Sequence, residues 1–125
     1  MPDPVPNTAI NLLAKIEKFT DYWQPRVVAE LNDYQVKLAR INGEFIWHDH
    51  AETDELFLCL EGQMTIEMHA GNVQLGPGDL YVVPKGVAHK PVAHGECKIL
   101  LLEPRGVVNT GAENSDRTAA GDRWI

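Results

Sequence analysis

From Tyr34 to Pro104 the apolar residues fall in short runs with a period of two, and glycine stands between the runs. "YQVKLARI" alternates, "EFIWH" follows an Asn42-Gly43 pair, and "ELFLCLEGQMTIEMH" reads as two strands around a Glu61-Gly62-Gln63 turn. Gly71, Gly76, Gly78, Gly86, Gly95 and Gly106 then separate "VQL", "DLYVVP", "HKPV" and "CKILLLEP". Strands this short and this closely spaced leave no room for crossover helices. The pattern predicts an all-β sandwich or barrel.

The flanks differ. After a Pro-rich opening, "NTAINLLAKIEKF" places Ile10, Leu13, Ile16 and Phe19 along one stripe, which predicts a short amphipathic helix with Asn7 or Thr8 as N-cap. Residues 107–125 have little periodicity and predict an irregular tail, whose Trp124 and Ile125 gain by docking on apolar surface. The division is therefore a Pro-rich segment and helix over 1–24, a barrel over 25–106 and a tail over 107–125, with early strands such as "RVVAEL" in the barrel. A chain of 125 residues can bury a core as one domain.

Charge and cysteine usage narrow the function classes. Lys and Arg number 11 against 18 Asp and Glu, a net charge of −7, which argues against nucleic acid and anionic membrane as partners. The opening lacks a basic head joined to an apolar stretch, and no apolar run approaches membrane-spanning length, so a cytoplasmic location is expected. Cys59 and Cys97 lie inside apolar runs, where reduced thiols act as small core hydrophobes.

The chemistry concentrates in "WHDHAETDE", Trp47 to Glu55, with two histidines and four carboxylates. His48 and His50 are two apart, so in a strand both point to the side shared with Glu44 and Ile46, with Phe45, Trp47 and Asp49 opposite. Glu55 begins the next strand on the face of Phe57 and Cys59. Glu52 and Asp54 read as loop solvation, and His69 as an ordinary hairpin histidine. A fourth ligand type, His89, closes "PKGVAH". Three imidazoles and a carboxylate suit one divalent transition metal ion, Fe, Mn, Ni, Co, Cu or Zn. An octahedral ion so held keeps two positions open, as a catalytic site needs.

With both elements in view, the chain resembles a small single-domain cupin. "GEFIWHDHAETDELFLCLEG" is similar to the first cupin motif and "GDLYVVPKGVAH" to the second, in the expected order. Two departures stand out: Asn42 occupies the usual place of the first glycine, and Ala93, beside His94, replaces an asparagine that often closes the second motif. The helix and the ending "EPRGVVNTG" further resemble small bacterial cupins labelled mannose-6-phosphate-isomerase-like. The resemblance implies a double-stranded β-helix barrel, jelly-roll-like, with the metal inside, one mouth open to substrate and commonly a homodimer.

The leading expectation is a metal-dependent enzyme acting on a small oxygenated metabolite, of dioxygenase or of isomerase or lyase type. Glu44, Tyr81 and His94 are candidate bases or supporting groups. The alternatives are a non-catalytic metal or small-molecule binding module, and a structural metal or polar packing without a metal.

Overall fold

The computed structural model describes residues 7–113, 115–119 and 121–125; the Pro-rich opening lies outside them. One helix, α1 (Leu12–Ile16), precedes seven strands: β1 (Arg26–Leu31), β2 (Tyr34–Glu44), β3 (Glu55–Glu61), β4 (Met64–Met68), β5 (Val73–Leu75), β6 (Leu80–Val83) and β7 (His89–Pro104). The helix starts later than the apolar stripe suggested. Asn11 is the N-cap, its side chain accepting from the Ala14 N–H at 2.9 Å, so Leu12 and Ile16 face the sheet while Leu13 is exposed. Arg40 caps the other end, donating to the carbonyls of Ile16 and Phe19. Among the described residues, no helix is long and apolar enough to cross a membrane.

β7 organises the sheet. Gly95 does not end a strand as the pattern suggested: β7 is continuous for 16 residues. Its first part, His89–Ala93, pairs with β4, and its second part, Lys98–Leu102, pairs with β3, while β2 runs antiparallel beside both. The β2–β7 register slips between Ile41↔Cys97 and Gly43↔Ala93, and Gly95 at φ +82° supplies the backbone for that bulge. The strand thereby bends from one layer of the fold into the other. At the β3–β4 turn glycine is needed for a second reason: a Cβ on Gly62 would stand 2.7 Å from the Glu96 carbonyl oxygen.

The strand order is β1-β2-β7-β3-β6, with β4 pairing β7 and β5. This is a mostly-β jelly-roll, and it corrects the closed-barrel expectation: among the described residues no ladder joins β1, β5 or β6 to one another, so the sheet stays open. The physical reason is visible at those edges. β5 and β6 have only three and four residues, too short to carry a closing ladder. The outer edge of β1 is partly covered instead, because Val27 forms a parallel bridge with Trp124, donates to the Arg123 carbonyl and accepts from the Ile125 N–H.

Two apolar clusters result. The inner one lies between the layers and includes Ile41, Phe57, Cys59, Met64, Ile66, Cys97 and Ile99. The outer one, Ile16, Phe19, Val28 and Leu38, is roofed by α1 and flanked by Ile125. Both cysteines are buried and free of a disulfide, their sulfurs hydrogen-bonded at 3.7 Å; burial, and Cys59 beside it, push the Cys97 thiol up to about 12.

Candidate metal centre

The four ligand-type residues converge from three places. Glu55 opens β3, His89 opens β7, and His48 and His50 lie in the segment between β2 and β3. A local antiparallel bridge holds that segment, His48 and His89 exchanging N–H···O bonds of 3.0 and 2.9 Å. One ligand atom from each of the four lies within 4.8 Å of all the others, and all four residues are buried. Donors opposed across one ion with bonds of about 2.0–2.2 Å stand roughly 4.0–4.4 Å apart, so little adjustment closes the site on a divalent metal.

Ring orientation tests whether a cation fits. The Nδ1 of His48 lies 3.0 Å from the Ile46 carbonyl and the Nδ1 of His89 lies 2.9 Å from that of Val87, so in both rings Nδ1–H donates outward and Nε2 presents a lone pair. His89 Nε2 then faces Glu55 Oε1 at 3.3 Å, and His50 Nε2, 3.2 Å from the same oxygen, is buried without a hydrogen-bond partner. Two imidazole nitrogens within 3.3 Å of one buried carboxylate oxygen, with the His48 ring beside them, form a donor set that a divalent cation would satisfy, so the residues fit the ion.

The electrostatics agree. Burial, and His89 beside it, push His48 down to about 4, so the ring is neutral and able to ligate. Burial alone would raise the Glu55 carboxyl, but His50, His89 and Glu103 around it outweigh that and hold it well below the usual carboxylate range.

Local geometry departs from strand alternation just before the histidines. β2 ends at Glu44, and Phe45 turns inward, stacking on Trp23 with ring centres 4.7 Å apart and meeting His48 edge-on at 5.2 Å. Glu44 points out, paired with Lys90 on the surface. Trp47 is exposed and stacks on His69, and Asp49 is exposed. Of the other candidates, Tyr81 packs half-buried opposite Phe57, and His94 is exposed with Nε2 2.8 Å from Thr65 Oγ1. None of Glu44, Tyr81 and His94 joins the four-residue cluster or lines the cavity beside it.

That cavity holds only about 30 Å³, and its walls are largely apolar: Trp23, Ile41, Phe45, Phe57 and Leu101 surround the side of His48 and Glu55. A strap from the C-terminal segment runs along one side of the cavity. Asn109 lines the cavity and donates to the carbonyls of Trp23 and Arg117, and Arg117 donates to the Glu44 carbonyl. Gly111, at φ +62°, lies so close to the His48–His50 segment that a Cβ there would stand 2.1 Å from the Asp49 carbonyl oxygen.

Sequence reasoning missed a second buried polar group. Gln35, Lys37 and Glu103 are each at most 2% exposed, and Lys37 Nζ stands 2.9 Å from Glu103 Oε1. Burial, and the charge and contact of Glu55, push the Glu103 carboxyl well above the usual range. The signal lay in phase. Gln35 and Lys37 share a strand face with Ala39 and Ile41, and Glu103 shares one with Leu101, Ile99 and Cys97.

Comparison with known proteins fits this geometry. The Cupin domain family model matches residues 38–103. The chain is 36% identical over 94 residues to the Bacillus subtilis protein YdbB, covering 74% of this chain and 83% of that one. It is 45% identical over 42 residues to quercetin 2,3-dioxygenase of Bacillus subtilis, 34% of this chain but 12% of that enzyme. Among solved structures, a cupin-2 domain containing protein from Shewanella frigidimarina superposes with a TM-score of 0.76 at 52% identity, over 77% of this chain and 94% of that one. The chain belongs to the cupin family.

Proposed function

We propose that this cupin is a metal-dependent enzyme acting on a small oxygenated metabolite, with one divalent transition ion held by His48, His50, Glu55 and His89. The observation that carries the reading is the buried convergence of His48, His50, Glu55 and His89, their ligand atoms within 4.8 Å of one another, at the side of an apolar cavity. When bound, the ion supplies Lewis acidity and, for a redox-active metal, electrons to dioxygen. The chain's own part is to orient the donors through the Ile46 and Val87 carbonyls and to keep water out with Trp23, Phe45 and Phe57.

Of the two reaction types, the dioxygenase is favoured. Among the described residues lining the cavity, His48 and Glu55 are the titratable ones, and both are assigned as ligands, so no separate base faces a substrate there. The partial similarity to quercetin 2,3-dioxygenase points the same way. Loading the metal-free chain with Fe(II) under anaerobic conditions and screening small catechols, flavonols and hydroxyacids for oxygen uptake tests it. Turnover without oxygen uptake overturns the dioxygenase in favour of an isomerase or lyase.

A second reading has its own support. The apolar cavity, about 30 Å³, has room for a few waters or a small group beside the ion, which suits a binding module as well as an enzyme. Metal or ligand binding with no turnover across the screen would establish that non-catalytic module. We further place the chain with the small bacterial mannose-6-phosphate-isomerase-like cupins, in the cytoplasm, as a homodimer formed along the uncovered part of the β1 edge. A monomeric mass in solution would contradict the dimer.

A further inference from the structure

A second pocket, of about 570 Å³, opens where the C-terminal segment passes the β1–β2 hairpin. β1 and β2 contribute Glu30 and Gln35 to its wall, and the C-terminal segment contributes Arg105, Asp122 and Trp124. Small-molecule sites run to roughly 300–1,000 Å³, and none of the four residues of the metal centre lines this one.

The polar groups of the wall are unevenly matched. Glu30 Oε2 accepts from Arg105 Nε at 2.8 Å and from Gln35 Nε2 at 3.1 Å, so the guanidinium is already held by a carboxylate. Asp122 is exposed and without an ion pair among the described residues, while its neighbour Arg123 stands 3.9 Å from Asp21. Gln35 is 1% exposed, and its Oε1, on the amide whose nitrogen Glu30 holds, is buried with no hydrogen-bond partner among the described residues. A buried amide oxygen is costly without a donor, so its position in a pocket wall calls for a donor brought in from outside. The sign of that donor follows from the wall. Two carboxylates outnumber one guanidinium, an amide oxygen disfavours an anion, and Trp124 adds an aromatic residue of the kind that attracts cations.

We propose that this pocket binds a small organic ammonium ion, which donates an N–H to Gln35 Oε1, sets its charge toward Asp122 and lays its carbon chain against Trp124. The site does not depend on the metal centre.

Titrating n-butylammonium into the isotope-labelled full chain, with butyrate and n-butanol as anionic and neutral counterparts of similar size, tests it by N–H resonances. The chain has three tryptophans, so the indole signal of Trp124 is read against those of Trp23 and Trp47. The expected result is a saturable shift of the Trp124 indole and the Gln35 amide with n-butylammonium, steady Trp23 and Trp47 signals, and no saturation with the other two compounds. Gln35→Met keeps the side-chain length without the amide and should weaken binding by about 10–100-fold, the worth of a hydrogen bond to a charged group. Asp122→Asn, a change at an exposed position, should weaken it by about 2–5-fold, the worth of an exposed ion pair. If Gln35→Met does not fold, Asp122→Asn decides alone, and unaltered affinity there overturns the proposal. Saturation by butyrate or n-butanol at equal or lower concentration overturns it too. So does the lack of any saturable shift at Trp124, which would leave solvent as the donor to Gln35.

Discussion

Along β3 the inward side chains run Glu55, Phe57, Cys59, and along its neighbour β7 they run Glu103, Leu101, Ile99, Cys97. The same two strands therefore build both ends of the interior. At one end, buried carboxylates, imidazoles and an ammonium face one another; at the other, Cys59, Cys97, Met64, Ile66 and Leu75 pack without a charge. The apolar end is what an area-driven core produces: each fully buried side chain there contributes roughly 1.5–3 kcal/mol. The polar end carries desolvation costs that close pairing offsets in part and that a bound divalent ion would offset further. Stability and chemistry are thus segregated within one layer, and each can be perturbed separately.

Removing a ligand should have the largest effect. Glu55→Ala or His89→Ala is expected to lower metal affinity by more than the roughly 10–100-fold that loss of an outer partner costs, with the fold retained, as metal analysis and circular dichroism would read. Unchanged metal content in both variants would erase the distinction between the two ends. At the apolar end Ile66 is fully buried, and Ile66→Ala should cost about 2–5 kcal/mol in denaturant unfolding while metal per folded chain stays constant.

Of the two ends, acid should act on the polar one. His48 takes up a proton near 6.5 when unfolded but only near 4 when folded, so between those values the unfolded chain binds more protons. The metal-free protein should keep this contribution above pH 6.5 and lose up to about 3 kcal/mol of it as pH falls through 4. His48→Gln should flatten that slope by one proton's worth; an unchanged slope would show that the ring does not titrate as described.

The strap offers a smaller perturbation. Gly111→Ala forces a Cβ against the Asp49 carbonyl at a positive φ, at a cost of roughly 1–3 kcal/mol. Faster hydrogen exchange across 107–113, with the apolar end unaffected, is the expected signature. Smallest of all, Glu44→Gln lies outside the cluster and should leave metal content unchanged.

Much of this arrangement was legible in the chain. The strands around Gly62 and the inward face of Glu55, Phe57 and Cys59 follow from alternation, and the packing of Ile125 against the outer cluster follows from the gain in covering apolar surface. Closure was not legible. Alternation specifies which face a residue takes, but whether the last strands meet depends on register and on strand length, and β5 and β6 are too short to join. Phe45 was misplaced because alternation holds only inside a ladder, and β2 ends at Glu44. Lys37 escaped notice because its burial depends on partners 66 and 70 residues away.

The sequence by itself determined the local terms: short strands, the turn at Gly62, and four donors of the right chemical type at strand ends, since alternation and turn chemistry act over a few residues. Tertiary structure decided the rest: the open jelly-roll, the strap beside the cavity, and the buried pairing of Lys37 with Glu103. Those features exist only when distant strands are brought side by side, because burial and pairing are properties of neighbours in space.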